Sequence, residues 1–170
     1  GWRNGRWTGS PAGSSRNGSK RDQAILQILR HTGLRVGELA VLRLDDMEIS
    51  ERKGKLTVRS GKGGKYREIP LNLDARKAIS SYLEVRPQVP DDHLFIGQRG
   101  RPLRPQGVEL IVAKYASIAG LENVTPHVLR HSFAKQVLDS GTDLVAVARL
   151  LGHQRLDTTA RYTQPTERDL

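Results

Sequence analysis

Apolar residues recur at helical spacing through most of the chain and alternate in one short region near its middle. Ile25, Leu26, Ile28 and Leu29 form a stripe that His31-Thr32-Gly33 closes with a basic side chain and a glycine of C-cap type. That spacing predicts a helix from about Lys20. Val36, Leu39, Ala40 and Leu42 predict a second helix opening near Arg35, with Glu38 three residues on, where its carboxylate can brace the Arg35 guanidinium. Met47 to Ile49, Leu56 to Arg59 and Tyr66 to Leu71 then have strand composition, separated by Gly54 and by Gly61-Lys62-Gly63-Gly64. They predict a three-stranded antiparallel sheet with Lys62 in or beside its second hairpin.

The helical period returns after the sheet. Asp74 is placed to cap a helix running to Val85, with Ala75, Ala78, Ile79, Tyr82 and Leu83 as its buried stripe and Pro87 beyond its end. Pro105 opens a helix carrying Val108, Ile111, Val112 and Tyr115, which closes near Gly120. Thr125 and Pro126 are a good N-cap and first residue, so His127 falls in a first turn, with Arg130 about one turn along the same side and Gly141 at the end. Thr142 is read as the cap of a helix with Leu144, Val145, Val147, Leu150 and Leu151 that ends at Gly152, leaving His153 just past it. Asp157 caps a last short helix that carries Tyr162. The fold expected is mainly α with a small three-stranded antiparallel sheet. Gly1 to Ser19, rich in Gly, Ser, Asn and Arg, shows no period and is read as a disordered lead or linker remnant, with one folded domain over residues 20–170.

Composition narrows the partners. The 170 residues carry 28 basic against 18 acidic side chains, a formal net charge of +10, so the long-range field attracts polyanions, above all nucleic acid. Setting aside Arg3, Arg6 and Arg16 leaves the body still basic. No apolar run reaches transmembrane length, and the expectation is a soluble cytoplasmic protein, associated with the nucleoid and not with a membrane. Without cysteine there is neither a disulfide framework nor a thiolate metal site. Asp45-Asp46 is a lone acidic pair, and His127 with His131 has only helical spacing, so neither metal nor cofactor is expected.

Arg35, His127, Arg130, His153 and Tyr162 define the candidate chemistry. Two arginines can grip one phosphate in two-pronged fashion, and His127 near a helix N-terminus adds a donor where backbone N–H groups already favour anions. Attack on phosphorus adds charge to the non-bridging oxygens, which fixed cations must meet. Tyr162 is the candidate nucleophile, its phenol having an ordinary pKa of about 10 that surrounding positive charge helps to overcome. Lys62, on a glycine-flanked turn, can protonate the departing sugar oxygen. His153 would bond the phosphate, and His127 would do the same or accept the phenol proton; the residues alone leave those roles open. Each also has a plainer use: Tyr162 as a packing residue, His153 as a partner for helix-end carbonyls, His127 and Arg130 as a solvated helix edge. Lys65 and Arg67 are read as contacts to DNA phosphate or solvent.

Five strings in one order carry a resemblance. Thr32-Gly33-Leu34-Arg35-Val36-Gly37-Glu38-Leu39, Gly61-Lys62-Gly63-Gly64-Lys65-Tyr66-Arg67-Glu68-Ile69-Pro70, His127-Val128-Leu129-Arg130-His131-Ser132-Phe133-Ala134, Leu150-Leu151-Gly152-His153 and Thr158-Thr159-Ala160-Arg161-Tyr162 resemble the catalytic domain of tyrosine recombinases, the phage integrase and Xer-like family. The resemblance spans about residues 21 to 165. It implies that Arg35, Lys62, His127, Arg130 and His153 form the active-site set, that Tyr162 is the nucleophile, and that Glu38 supports the first arginine. It further implies a 3′-phosphotyrosyl link and a free 5′-hydroxyl on double-stranded DNA, without ATP or metal, and strand exchange by a homotetramer on two DNA sites.

Two departures from the family pattern shape the expectation. Only Gly1 to Ser19 stands where the family carries an N-terminal core-binding domain, so the chain is read as an isolated catalytic domain, monomeric by itself. Eight residues follow Tyr162, fewer than the tail with which many relatives dock on a neighbouring protomer. The competing readings are a type IB topoisomerase, which reseals the same strand, and a DNA-binding module that keeps the fold without catalysis.

Overall fold

Ala24, Ile25, Leu26, Ile28 and Leu29, the stripe read from the sequence, are all completely buried and form the centre of the hydrophobic core. They lie on α1 (Arg16–Thr32) in a computed structural model that describes residues 2–3, 6–7, 16–59, 66–126, 134–139 and 143–152. Regular structure also lies within Gly1 to Ser19, which the sequence left without period: α1 begins at Arg16, and β1 (Trp2–Arg3) pairs antiparallel with β2 (Arg6–Trp7).

Arg35 ends the turn after α1 and stands at the N-cap of α2 (Val36–Ala40). A 3-10 turn, Leu44–Asp46, leads into β3 (Met47–Ile49), β4 (Gly54–Arg59) and β5 (Tyr66–Pro70), one antiparallel sheet in the order β3-β4-β5. Leu56 and Val58, two apart on the central strand, point into the core, as period-2 alternation requires. The register pairs Ile49 with Gly54 and Arg59 with Tyr66. Gly54 is thus the first residue of β4 instead of a turn residue, and a Cβ there would come within 2.9 Å of Arg76 Cδ.

α3 (Leu73–Val85) and α4 (Pro105–Ile118) complete the main layer against α1. The cap of α3 is Asn72, whose side chain accepts the Ala75 N–H at 2.9 Å, and not Asp74, which sits inside the first turn. α4 is buried nearly all round through Val108, Ile111, Val112, Ala113, Tyr115 and Ala116, as befits a central helix. Pro105 is its first residue and Gly120, at φ +84°, follows its end. Tyr82 stacks on Phe95 with centroids 5.3 Å apart and accepts the Ile96 N–H through its hydroxyl. The intervening loop is organised by Arg86, which donates to the carbonyls of Asp91, His93 and Leu94.

Two shorter helices follow, α5 (Ala134–Leu138) and a helix over residues 144–152. Asp143 caps the latter by accepting the Ala146 N–H at 3.2 Å, and Thr142, the cap expected from the sequence, lies outside the described residues. Leu144, Val145 and Ala148 close the core from that side. Among the described residues no helix is long and apolar enough to cross a membrane.

Candidate active site

The path to Arg35 is set by a tight helix exit. Thr32 Oγ1 donates to the Ile28 carbonyl at 2.6 Å and accepts the Leu34 N–H, while Gly33 takes φ +70° and bonds back to the Leu29 carbonyl. That left-handed residue is the C′ glycine the sequence suggested. A Cβ on it would meet Lys135 Cδ at 3.2 Å, so α5, which follows Arg130 in sequence, lies against the turn just ahead of Arg35. Asp143 pairs with Arg30 on the same end of α1 at 3.3 Å.

Arg35 itself is extended (φ −73°, ψ 151°) and its side chain is exposed. Glu38, at the third helical position, accepts the Arg35 N–H through Oε1 at 3.0 Å. This is the carboxylate half of a capping box; an arginine side chain has donors only, so the reciprocal half cannot form. Glu38 thus supports Arg35 through a backbone hydrogen bond, and its charge also attracts the Arg35 guanidinium. Its carboxylate holds the Arg35 backbone, and the guanidinium it grips is that of Arg67, at 3.0 Å from Nη1 to Oε2 and 3.4 Å from Nη2 to Oε1. Burial pushes the Glu38 carboxyl up, but the Arg67 hydrogen bonds, the Arg35 N–H and the attraction of both guanidinium groups outweigh it and hold the carboxyl below its usual range.

Arg67 follows Tyr66 on β5, and Tyr66 pairs with Arg59 at the open end of the β4–β5 ladder. The connection that contains Lys62 therefore leaves the sheet beside the residue that grips Glu38. Lys62 and Lys65 lie outside the described residues, as do His127, Arg130, His153 and Tyr162. Their flanks are described: helical geometry begins at Pro126, just ahead of His127, and the last described helix runs through Gly152, just ahead of His153. Arg67, read as a DNA or solvent contact, is half exposed and engaged in the ion pair with Glu38. No local pattern could have disclosed that pair, since its members lie 29 residues apart.

One group of potential metal donors occurs among the described residues, Asp91, Asp92 and His93, with ligand atoms within 4.8 Å of one another. Its groups already have partners. Asp91 Oδ1 accepts the His93 N–H at 2.7 Å and touches His93 Nδ1 at 2.6 Å, while Asp92 is ion-paired with Arg43. These contacts fasten the loop to the segment at Leu42 and Leu44, whose backbones pair with Leu94 and Asp92.

Residues 12–168 match the model of the phage integrase family. The chain belongs to that family. A tyrosine recombinase XerC of Roseiflexus sp. (strain RS-1) is 42% identical over 150 residues, 84% of this chain and 47% of the relative. A tyrosine recombinase XerD of Listeria innocua is 42% identical over 154 residues, 86% of this chain and 51% of that protein. The chain thus spans about half the length of the curated relatives it matches. Among solved structures, XerA recombinase is 31% identical with a TM-score of 0.55, covering 90% of this chain and 63% of the other. XerH site-specific recombinase, solved bound to difH substrate as a pre-cleavage complex, is 27% identical with a TM-score of 0.57, covering 86% of this chain and 46% of the other. The mainly helical fold with its three-stranded sheet is that of this integrase family.

Proposed function

We propose that this integrase-family domain cuts and rejoins double-stranded DNA at specific sites through a covalent bond between Tyr162 and a 3′-phosphate. The observation that carries the reading is the family match over residues 12–168, which spans Arg35, Lys62, His127, Arg130, His153 and Tyr162 in their expected order. The geometry around Arg35 supports it. An exposed guanidinium stands at a helix start whose backbone is pinned by Glu38, next to the hairpin that carries Lys62.

In the proposed reaction the Tyr162 oxygen forms a bond to phosphorus and the bond to the 5′ oxygen breaks. Lys62 gives its proton to that oxygen. His127 accepts the phenol proton or bonds the phosphate, and His153 bonds the phosphate. Arg35 and Arg130 meet the charge that develops on the non-bridging oxygens. One phosphoester is exchanged for another, so the step reverses when a 5′-hydroxyl attacks, and neither metal nor ATP enters. Lys65 and Arg67 are proposed to lie along the DNA backbone. For the whole protein the proposal is a homotetramer on two DNA sites, acting in the cytoplasm on the nucleoid.

A pool of nicked duplexes, randomised around the nick, tests the chemistry whatever base sequence the domain prefers. In EDTA the chain should trap a denaturant-resistant covalent adduct, and Tyr162→Phe should abolish the adduct while DNA binding survives. An adduct that persists in Tyr162→Phe would reject the nucleophile; none with the unaltered chain would leave a DNA-binding module.

A further inference from the structure

The strands that lead to and from residues 60–65 each carry an arginine ion-paired with an acid at the start of a helical segment. Arg35-Val36-Gly37-Glu38 has a counterpart in Arg43-Leu44-Asp45-Asp46. In each the arginine is the extended residue before a short helical segment, and the acid at the third helical position takes its N–H: Glu38 Oε1 at 3.0 Å and Asp46 Oδ2 at 2.9 Å. Each acid then holds an arginine of the hairpin. Glu38 grips Arg67 through both guanidinium nitrogens, and Asp46 Oδ1 lies 3.1 Å from Arg59 Nη2.

The two gripped arginines bracket residues 60–65. Arg59 is the last residue of β4 and pairs with Tyr66, and Arg67 is the next residue on β5. Neither ion pair is a large source of stability, because Arg59 and Arg67 are half exposed or more and solvent screens them. Their value is geometric. Asp46 is only 5% exposed, and the Arg59 guanidinium, 3.1 Å from an Oδ1 that has no hydrogen bond among the described residues, supplies the compensating charge that a buried carboxylate needs. Arg67 meets Glu38 with a planar fork that fixes direction as well as distance.

We propose that Arg59 and Arg67 are positioning residues for the general acid. Their two carboxylate clasps fix the roots of the Lys62 connection relative to the Arg35 backbone, so that proton donor and phosphate clamp address the same scissile phosphate. This rests on the reading of Lys62 as the donor to the departing 5′ oxygen. Loosening either root leaves Arg35 pinned but lets the hairpin pivot, and a misplacement of about 1 Å can cost up to about 100-fold in rate.

A change of leaving group tests it. A defined nicked duplex recovered from the trapped pool is compared with the same duplex carrying sulfur in place of the 5′-bridging oxygen at the scissile phosphate. A thiolate leaves without being protonated, so on the sulfur duplex the ratio of variant to unaltered rate no longer contains the contribution of the general acid. Lys62→Ala should be slow on oxygen and restored on sulfur; failure of that control, or no adduct from the unaltered chain, would overturn the parent reading. With the control in hand, Arg59→Met should slow oxygen cleavage by about 10- to 100-fold and sulfur cleavage by less than about threefold. Glu38→Gln should repeat the pattern, since an amide oxygen can still accept the Arg35 N–H but lacks the charge that holds Arg67. Equal losses on both duplexes, or none on oxygen, in variants whose thermal melting is unchanged would overturn the proposal.

Discussion

The Tyr115 hydroxyl donates a 2.6 Å hydrogen bond to the buried carboxylate of Asp22, joining α4 to α1 inside the core. Arg21 reaches the other carboxylate oxygen through Nε and Nη2 at 3.2 and 3.1 Å, and Lys114 Nζ stands 3.7 Å from Oδ2. A charge at 1% exposure is tolerable because these partners enclose it. Tyr115→Phe keeps the ring packing and removes the donor. Hydrogen bonds to charged groups are worth about 1.5–3 kcal/mol, and equilibrium urea unfolding should show a loss in that range. A loss below about 0.5 kcal/mol would mean that the two cations suffice.

The same tyrosine sets an alkaline limit. Burial, then the charge and hydrogen bond of Asp22, push the Tyr115 phenol far above its ordinary value, and burial also raises that of Tyr82. Both groups keep their protons in the folded protein while the unfolded chain releases them near pH 10. Above that pH the unfolded state binds fewer protons, so stability falls as pH rises, whereas below it these tyrosines contribute no slope. Urea midpoints measured from pH 8 to 11 should be flat at first and then decline, and Tyr115→Phe should weaken the decline. A midpoint that does not fall above pH 10 would reject the assignment.

The start of α3 separates what the sequence could disclose from what it could not. Asn72 and Asp74 are both residue types that cap helices, and only the backbone path selects Asn72, by bringing its oxygen to the Ala75 N–H. Asn72→Ala should therefore cost about 1 kcal/mol, and Asp74→Ala less, because an exposed first-turn acid acts only through the helix dipole. Thermal unfolding of the two variants checks the order. Periodic features are legible at once: the stripe on α1, the alternation at Leu56 and Val58, and Pro105 opening α4 all depend on local spacing. Contacts between distant polar groups have no period to read. Arg86 on the carbonyls of its loop and Arg67 on Glu38 emerge from the folded chain alone. Spacing marks Glu38 as a support for Arg35 but does not disclose the backbone hydrogen bond, which arises because the extended N-cap conformation presents the Arg35 N–H to the carboxylate.

That distinction separates chemistry from folding at Arg35. The interaction that starts α2 uses the Arg35 backbone N–H, which any residue but proline retains, while the exposed guanidinium takes no part in the cap. Arg35→Ala should accordingly change stability by no more than about 0.5 kcal/mol. Glu38 keeps its bond to the residue 35 N–H and its grip on Arg67, so the hairpin keeps its place. The loss should fall on the transition state, where a cation facing the phosphate oxygens is removed; by analogy with an oxyanion donor this is about 3–4 kcal/mol, or a hundredfold or more in cleavage rate. Sulfur at the 5′-bridging position should not restore that rate, since the missing group stabilises the non-bridging oxygens and not the departing one. Single-turnover adduct formation on the two duplexes, with melting curves alongside, decides the matter: normal cleavage by Arg35→Ala, or a full rescue by sulfur, would remove Arg35 from the phosphate clamp.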